Sequence, residues 1–196
     1  MNSIVAKEAI TSYAVNDLIL KRWSPRSFSP APVSQSQLDT IITAASWAPS
    51  SANEQPWRYI TALKQNEKGF SALFNCLLPG NAVWVKNAAA IILCYTKLTY
   101  TKGGKNNVNA FHDAGMANQN LLLQAVSMQI YGHPMEGFDK AKTVHDFKLS
   151  SDFQPVCMIA LGYLGEAENL EEPNKTRELT PRDRKALTEF ATNLVE

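Results

Sequence analysis

Strand-like and helix-like patterns alternate along these 196 residues, with helix at both ends. This predicts an α+β or α/β sandwich around a small sheet. Three observations carry the prediction. Residues 89–95 and 155–164 are continuous apolar runs of strand length, which suit strands covered on both faces. Residues 109–130 form the longest helical pattern, and Met116, Leu121, Leu122, Leu123, Ala125, Val126 and Met128 cover much of its circumference. A helix apolar nearly all round is buried at the centre of something, either its own domain or a second subunit. Third, residues 44–60 join a helical pattern to a strand-like one through two prolines, two serines, an asparagine and a glutamine, with Trp47 and Trp57 on the shoulders.

The remaining elements follow in order. Val15, Leu18, Ile19 and Arg22 give residues 15–21 the spacing of a short amphipathic helix. Pro25 disfavours a helical Ser24, so the chain turns extended towards Phe28. Ser34 and Gln37 form a capping box that opens a helix over Gln35–Ala45, with Leu38, Ile41, Ile42 and Ala45 on its apolar face. Trp47 and Trp57 are expected to anchor the connector in the core, ahead of a strand over Trp57–Leu63. Residues 67–77 predict a helix with Phe70, Leu73, Phe74 and Leu77 on one face, broken by Pro79-Gly80-Asn81 and followed by a short helix through Trp84. Residues 101–107, polar and containing Gly-Gly, predict a mobile surface loop. Residues 131–138 read as a second compact connector in which Gly137 is free for unusual dihedrals, and Asp139 caps a helix reaching about Phe147. Residues 165–178 are charged and irregular. Thr180 as N-cap, Pro181 at the first position and Asp183 near the positive dipole end predict a last helix over residues 181–194.

Length and an apolar fraction of 45% predict one soluble domain over residues 1–196. A net charge of +1 argues against a nucleic-acid or other polyanion partner. Cys76, Cys94 and Cys157 are far apart in apolar stretches, which predicts buried free thiols in a reducing compartment rather than a zinc site or disulfide framework. The first 20 residues lack the apolar core of a signal peptide, and the longest apolar run, residues 88–95, is too short to span a bilayer. A cytoplasmic location without membrane contact is the expectation.

Chemical candidates are few. There is no G-x-G-x-x-G and no Walker loop, so any phosphate must be held by cations. Arg22 with Arg26, and Lys175 with Arg177, are the available pairs. Arginine's planar fork suits phosphate oxygens, although such pairs are usually solvated surface charge. His112, His133 and His145 lack partners at ligand spacing, so neither a metal site nor a Ser-His-Asp triad is expected. Glu136 is either a general acid or base, or a turn residue that matters through its backbone.

Four motifs together resemble the flavin-dependent nitroreductase family, and most closely its oxygen-insensitive bacterial members. Arg22-Trp23-Ser24-Pro25-Arg26-Ser27-Phe28 is similar to the family's R-x-S-x-R/K-x-F. Ala48-Pro49-Ser50-Ser51-Ala52-Asn53-Glu54-Gln55-Pro56-Trp57 is similar to A/S-P-S-S-x-N-x-Q-P-W. Pro134-Met135-Glu136-Gly137-Phe138-Asp139 resembles the P-I/M-E-G-F-D turn, and Lys175-Thr176-Arg177 the K-S/T-R near the C-terminus. They stand in family order and span most of the chain.

The resemblance implies an α+β fold, a nitroreductase-like three-layer sandwich with a small, mostly antiparallel sheet flanked by helices, in an intertwined homodimer. It implies two FMN sites at the interface and NADH or NADPH as co-substrate. Arg22, Lys175 and Arg177 would hold the FMN phosphate, and Ser24 and Arg26 would reach the ribityl chain and pyrimidine edge. Trp23 would add an apolar wall, and Asn81 falls where the family has an asparagine near the ring. Backbone N–H groups at Glu136 and Gly137 would face flavin N5, with Pro134 and Met135 against one ring face. Pro49, Ser50, Ser51 and Asn53 would come from the partner subunit. The implied activity is ping-pong hydride transfer from NAD(P)H to a small flat acceptor, a nitroaromatic or a quinone, with no dedicated catalytic acid or base. The alternatives are a flavin-binding regulatory module without turnover and a specialised flavin dehydrogenase. The lysine that often follows the family asparagine is replaced around Val83 and Trp84.

Overall fold

A computed structural model describes residues 6–192. Seven α-helices and four strands lie among them: α1 (Asp17–Lys21), α2 (Gln35–Ala45), β1 (Trp57–Leu63), α3 (Glu67–Phe74), α4 (Pro79–Val85), β2 (Ala90–Lys97), α5 (Ala110–Ser127), β3 (Tyr131–Met135), α6 (Lys140–Asp146), β4 (Phe153–Gly162) and α7 (Asn174–Leu179). The strands form one sheet in the order β1-β2-β4-β3, every pair antiparallel. Both continuous apolar runs are the central strands, because only a central strand covered on two faces needs apolar residues at both parities.

Alternation along β2 divides the core. Ile92 and Cys94 pack with Ile159 and Leu161 against Leu38 and Ile41 of α2 and Leu121 and Ala125 of α5. Ile91 and Leu93 pack with Met158 and Ala160 against Phe70 and Leu73 of α3 and Trp84 and Val85 of α4. The result is a three-layer α+β sandwich. The Ser34–Gln37 capping box is present, with the Gln37 amide donating to Ser34 Oγ at 3.2 Å and the Ser34 amide to Gln37 Oε1 at 2.9 Å. Asp139 caps α6 by accepting from the Lys142 amide at 2.8 Å.

Several expectations are corrected. Residues 131–135 are a strand, not a connector; Pro134 is tolerated because β3 lies at the sheet edge. Residues 109–130 are helical only over Ala110–Ser127, and the burial is one-sided, leaving Phe111, His112, Gly115 and Gln119 exposed. Residues 67–77 are helical only to Phe74, after which Leu77 bridges Phe138. Trp57 is anchored at 7% exposure, but Trp47 is 83% exposed. The loop at 101–107 is at the surface but tied down, through a Thr99–Asn106 bridge and through Glu54, which accepts from the Thr101 amide at 2.9 Å and its hydroxyl at 2.6 Å.

The C-terminal correction is the largest. Residues 165–178 are not wholly irregular, since they end in α7, and Thr180 is the C-cap of that helix rather than the N-cap of another. Proline soon after a C-cap is a stop signal as readily as a start signal. Beyond it the described residues contain only a 3₁₀ turn at Leu187–Glu189, and the last residues of the expected helix lie outside the described ones. No helix among the described residues is long and apolar enough to cross a membrane.

Candidate functional site

Residues 22–28 are held from outside at both ends. Arg182 donates through Nη1 to the Arg22 carbonyl at 2.9 Å and through Nη2 to the Leu20 carbonyl. Glu178, 1% exposed, accepts from the Arg26 amide at 2.9 Å through Oε2 and from the Ser27 amide at 3.0 Å through Oε1. The Ser27 hydroxyl donates to the Glu166 carbonyl at 2.6 Å, and the Gly165 amide donates back to the Ser27 carbonyl at 3.0 Å. An extended, proline-interrupted segment has no ladder of its own, so the side chains of Glu178 and Arg182 and the Gly165 amide satisfy its backbone.

This scaffolding gathers positive charge. Arg22 and Arg26 are half-buried; Arg22 donates only to Ser24 Oγ at 3.3 Å, and the Arg26 guanidinium has no hydrogen-bond partner among the described residues. Burial pushes the pKa of Arg22 down, and Arg182 and Arg184 push it further. Burial also lowers that of Arg26; Glu178 opposes the shift and Arg177 adds to it. Nε of Arg182 is buried without an acceptor. Crowded, partly desolvated guanidinium groups with an orphaned donor are matched by an anion that carries several oxygens.

The second element is tied to the first by His133 of β3, whose Nδ1 lies 2.9 Å from the Pro25 carbonyl. A carbonyl can only accept, so Nδ1 carries the proton. Burial holds the pKa of His133 down at about 4, and its ring lies 4.7 Å from that of Trp84. The following turn docks on α4: the Gly137 carbonyl accepts from Asn81 Nδ2 at 3.0 Å and from the Leu78 amide at 3.1 Å. Gly137 is not at positive φ. A Cβ there would lie 2.6 Å from Asn81 Nδ2, so close approach, not an unusual dihedral, is what requires glycine.

The sequence-predicted residues therefore divide. Arg22, Ser24 and Arg26 are brought beside the strand carrying Pro134, and the Glu136–Gly137 turn is brought to Asn81. Met135 points its side chain into the core at 4% exposure, and exposed Glu136 pairs with Lys140. Trp23 is buried by its own chain, edge-on to Tyr131 and beneath Lys7 Nζ at 5.5 Å. Lys175 and Arg177 lie on α7, and Arg177 lines a groove of about 430 Å³ with Val83, Trp84 and Lys86. Sequence reading missed Arg182 and Arg184 beside Arg22, and Glu178. The Arg-Asp-Arg run after Pro181 was the available signal, hidden inside an expected helix.

Pro49, Ser50, Ser51 and Asn53 lie elsewhere. Trp57 is opposite Thr96 and Thr96 opposite Gln154 at the start of β4, whereas Phe28 bridges Leu164 just past its end. At ~3.3 Å per residue, the connector and residues 22–28 are roughly 30 Å apart along the sheet. The connector is nonetheless highly constructed. Ala52, Asn53 and Gln55 have φ of 53°, 53° and 51°, a left-handed geometry costing roughly 1–2 kcal/mol per residue. It is fixed by the buried Asp113, which accepts from the Ser51 amide at 3.0 Å, by Ser50 Oγ, which accepts from the Gln55 amide at 3.0 Å, and by a 2.9 Å contact between the Ser51 and Tyr100 hydroxyls. Strain held by this many bonds clusters at functional segments. Among the described residues no group of three His, Cys, Asp or Glu side chains could hold a metal ion.

Comparison with known proteins shows the family and the fold. The sequence pattern of the nitroreductase family matches residues 19–163. A crystal structure described as an oxidoreductase containing FMN superposes with a TM-score of 0.88 at 32% identity, covering 93% of each chain. An uncharacterised 15.4 kDa protein of Mycolicibacterium smegmatis is 30% identical over 64% of this chain and 82% of its own. A Streptococcus pyogenes protein named for NAD(P)H nitroreductase activity is 24% identical over 76% of this chain and 90% of its own.

Proposed function

Because this chain belongs to the nitroreductase family, we propose that it is an FMN-dependent NAD(P)H oxidoreductase, a homodimer that reduces flat acceptors such as nitroaromatics or quinones. The carrying observation is the half-buried guanidinium cluster around Arg22, with its orphaned Arg182 Nε. A dianionic phosphate fits that cluster, and the FMN-containing structure at 32% identity supports the same reading.

In this reading Arg22, Arg182 and Arg184 hold the phosphate, and Lys175 and Arg177 assist from α7. Ser24 and Arg26 contact the ribityl chain and the pyrimidine edge, while Pro134, the Glu136–Gly137 backbone and Asn81 border the ring. FMN held there would supply the redox chemistry that links NAD(P)H to the acceptor. The residues bind, orient and offset charge; none is assigned to proton transfer.

The roughly 30 Å separation along the sheet supports a site shared between two copies. Pro49, Ser50, Ser51 and Asn53 cannot reach the Arg22 of their own chain, and a second copy brings them to it. Exposed Trp47 lines a shallow groove between α2 and α5 with Ala44, Leu123 and Leu18, and we assign this face to the dimer contact.

The test is direct. Purified protein should carry, or take up, FMN, and its visible absorbance should bleach with NADH or NADPH under anaerobic conditions and return with a quinone or nitroaromatic. Protein that cannot be loaded with FMN overturns the reading. FMN binding without pyridine-nucleotide oxidation would identify a flavin-holding module instead.

A further inference from the structure

We propose that Glu178 is a positioning residue that works through Arg26 and sets the reduction potential of the flavin, an inference that rests on the cofactor reading above. Glu178 is buried on α7, and each of its carboxylate oxygens faces an N–H, Arg26 on one side and Ser27 on the other. Burial pushes the Glu178 carboxyl pKa up, and the Arg26 and Ser27 amides, with the charges of Arg26 and Lys7, oppose that shift and favour the ionised form.

This puts a full negative charge against the backbone that carries Arg26. Charge-assisted bonds to both amides fix where the Arg26 side chain starts. Each oxygen is directed at an amide, and among the described residues no ion pair joins the carboxylate to the Arg26 guanidinium, whose donors stay available. The charge is felt at Arg26 nevertheless, where it partly offsets the effects of burial and of Arg177. Lys7 is the other cation that senses Glu178. Glu178 thus aims Arg26 and moderates its field, in a site otherwise crowded with cations.

The consequence lies in the redox equilibrium. Positive charge at the pyrimidine end favours the electron-rich cofactor, so the buried carboxylate holds the potential lower than the cations alone would. Glu178→Gln keeps the size and one amide acceptor but removes the charge. Glu178→Asp keeps the charge.

The experiment compares wild type, E178Q, E178D and R26Q. Thermal unfolding of each apo-protein reports the fold, FMN titration of the apo-protein reports affinity, and anaerobic dye equilibration reports the midpoint potential. The expected result is a positive shift in E178Q, a negative shift in R26Q and little change in E178D. An unchanged or negative shift in folded, FMN-loaded E178Q overturns the proposal. If E178Q does not fold, R26Q decides: an unchanged potential there removes the route through Arg26 and overturns it equally. Failure of wild type to bind FMN would instead overturn the cofactor reading, which separates the two failures.

Discussion

His133 Nδ1 donates to the carbonyl of Pro25 at 2.9 Å and so fastens β3 to the arginine-bearing segment. Burial lowers the pKa of this imidazole to about 4 from an ordinary 6.5. In the unfolded chain the histidine protonates first as pH falls, so the folded state loses stability between about 6.5 and 4 and is unaffected by this group above 6.5. The difference from 6.5 to about 4 corresponds to at most about 3.4 kcal/mol. Urea unfolding at pH 7 and pH 5 should show wild type losing stability, and His133→Asn, whose amide can still donate to Pro25, losing less. Equal losses in the two proteins would remove His133 as the cause.

Gly137 faces Asn81 too closely for any side chain. Gly137→Ala sets a methyl 2.6 Å from Asn81 Nδ2, displacing the Asn81 amide from its bond to the Gly137 carbonyl at a cost of ~1–3 kcal/mol. The bond from Asn81 to the Gly137 carbonyl makes the two sites one unit. In an Asn81→Ala background the second substitution should therefore cost markedly less than it does alone. Additive losses in denaturant unfolding would mean that the collision is relieved elsewhere.

The phosphate assignment predicts an order of affinities. Arg22→Ala and Arg182→Ala each remove a charged donor worth ~1.5–3 kcal/mol, so FMN should bind about 10- to 150-fold more weakly by fluorescence titration. Arg177, whose charge is felt at Arg26 while Arg182 and Arg184 are the ones felt at Arg22, should matter less, so Arg177→Ala should weaken binding less. Should Arg177→Ala prove the most damaging, the phosphate sits towards α7 instead.

Elements governed by local chemistry could be read directly from the chain. The Ser34–Gln37 capping box, the Asp139 cap and the Trp57–Leu63 strand stand where they were expected, because each depends on residues within a few positions. The errors have a common physical origin. Residues 131–135 look like a turn until β4 lies beside them, since edge pairing is a long-range property that Gly132 and Pro134 disguise. Residues 181–192 carry good helix-start chemistry, but Arg182 is drawn to the Leu20 and Arg22 carbonyls, 162 and 160 positions away, which periodicity cannot register. Glu178 was unreadable for the same reason: an acid in a charged stretch looks solvated until two distant amides close on it. Trp47 failed differently. Its large aromatic is exposed on this chain, contrary to the expected burial, and the proposed second copy would cover it.

That second copy can be tested by dividing the site between two chains. One variant carries Arg22→Ala. The other carries Ser51→Ala and Asn53→Gly, glycine being chosen because Asn53 holds a φ of 53° and the substitution removes only the side chain. If each flavin site takes Arg22 from one chain and Ser51 with Asn53 from the other, dimers of either variant alone have two damaged sites. A mixed dimer has one site carrying all the damage and one that is wild type. Differently tagged chains, co-expressed and purified through both tags, should therefore bind FMN at wild-type affinity with a stoichiometry of one per dimer. A site built within a single chain gives no such recovery, because every site in the mixed dimer then keeps its own defect. Tight binding at half occupancy is the expected outcome; uniformly weak binding at both sites would show that the connector serves its own chain.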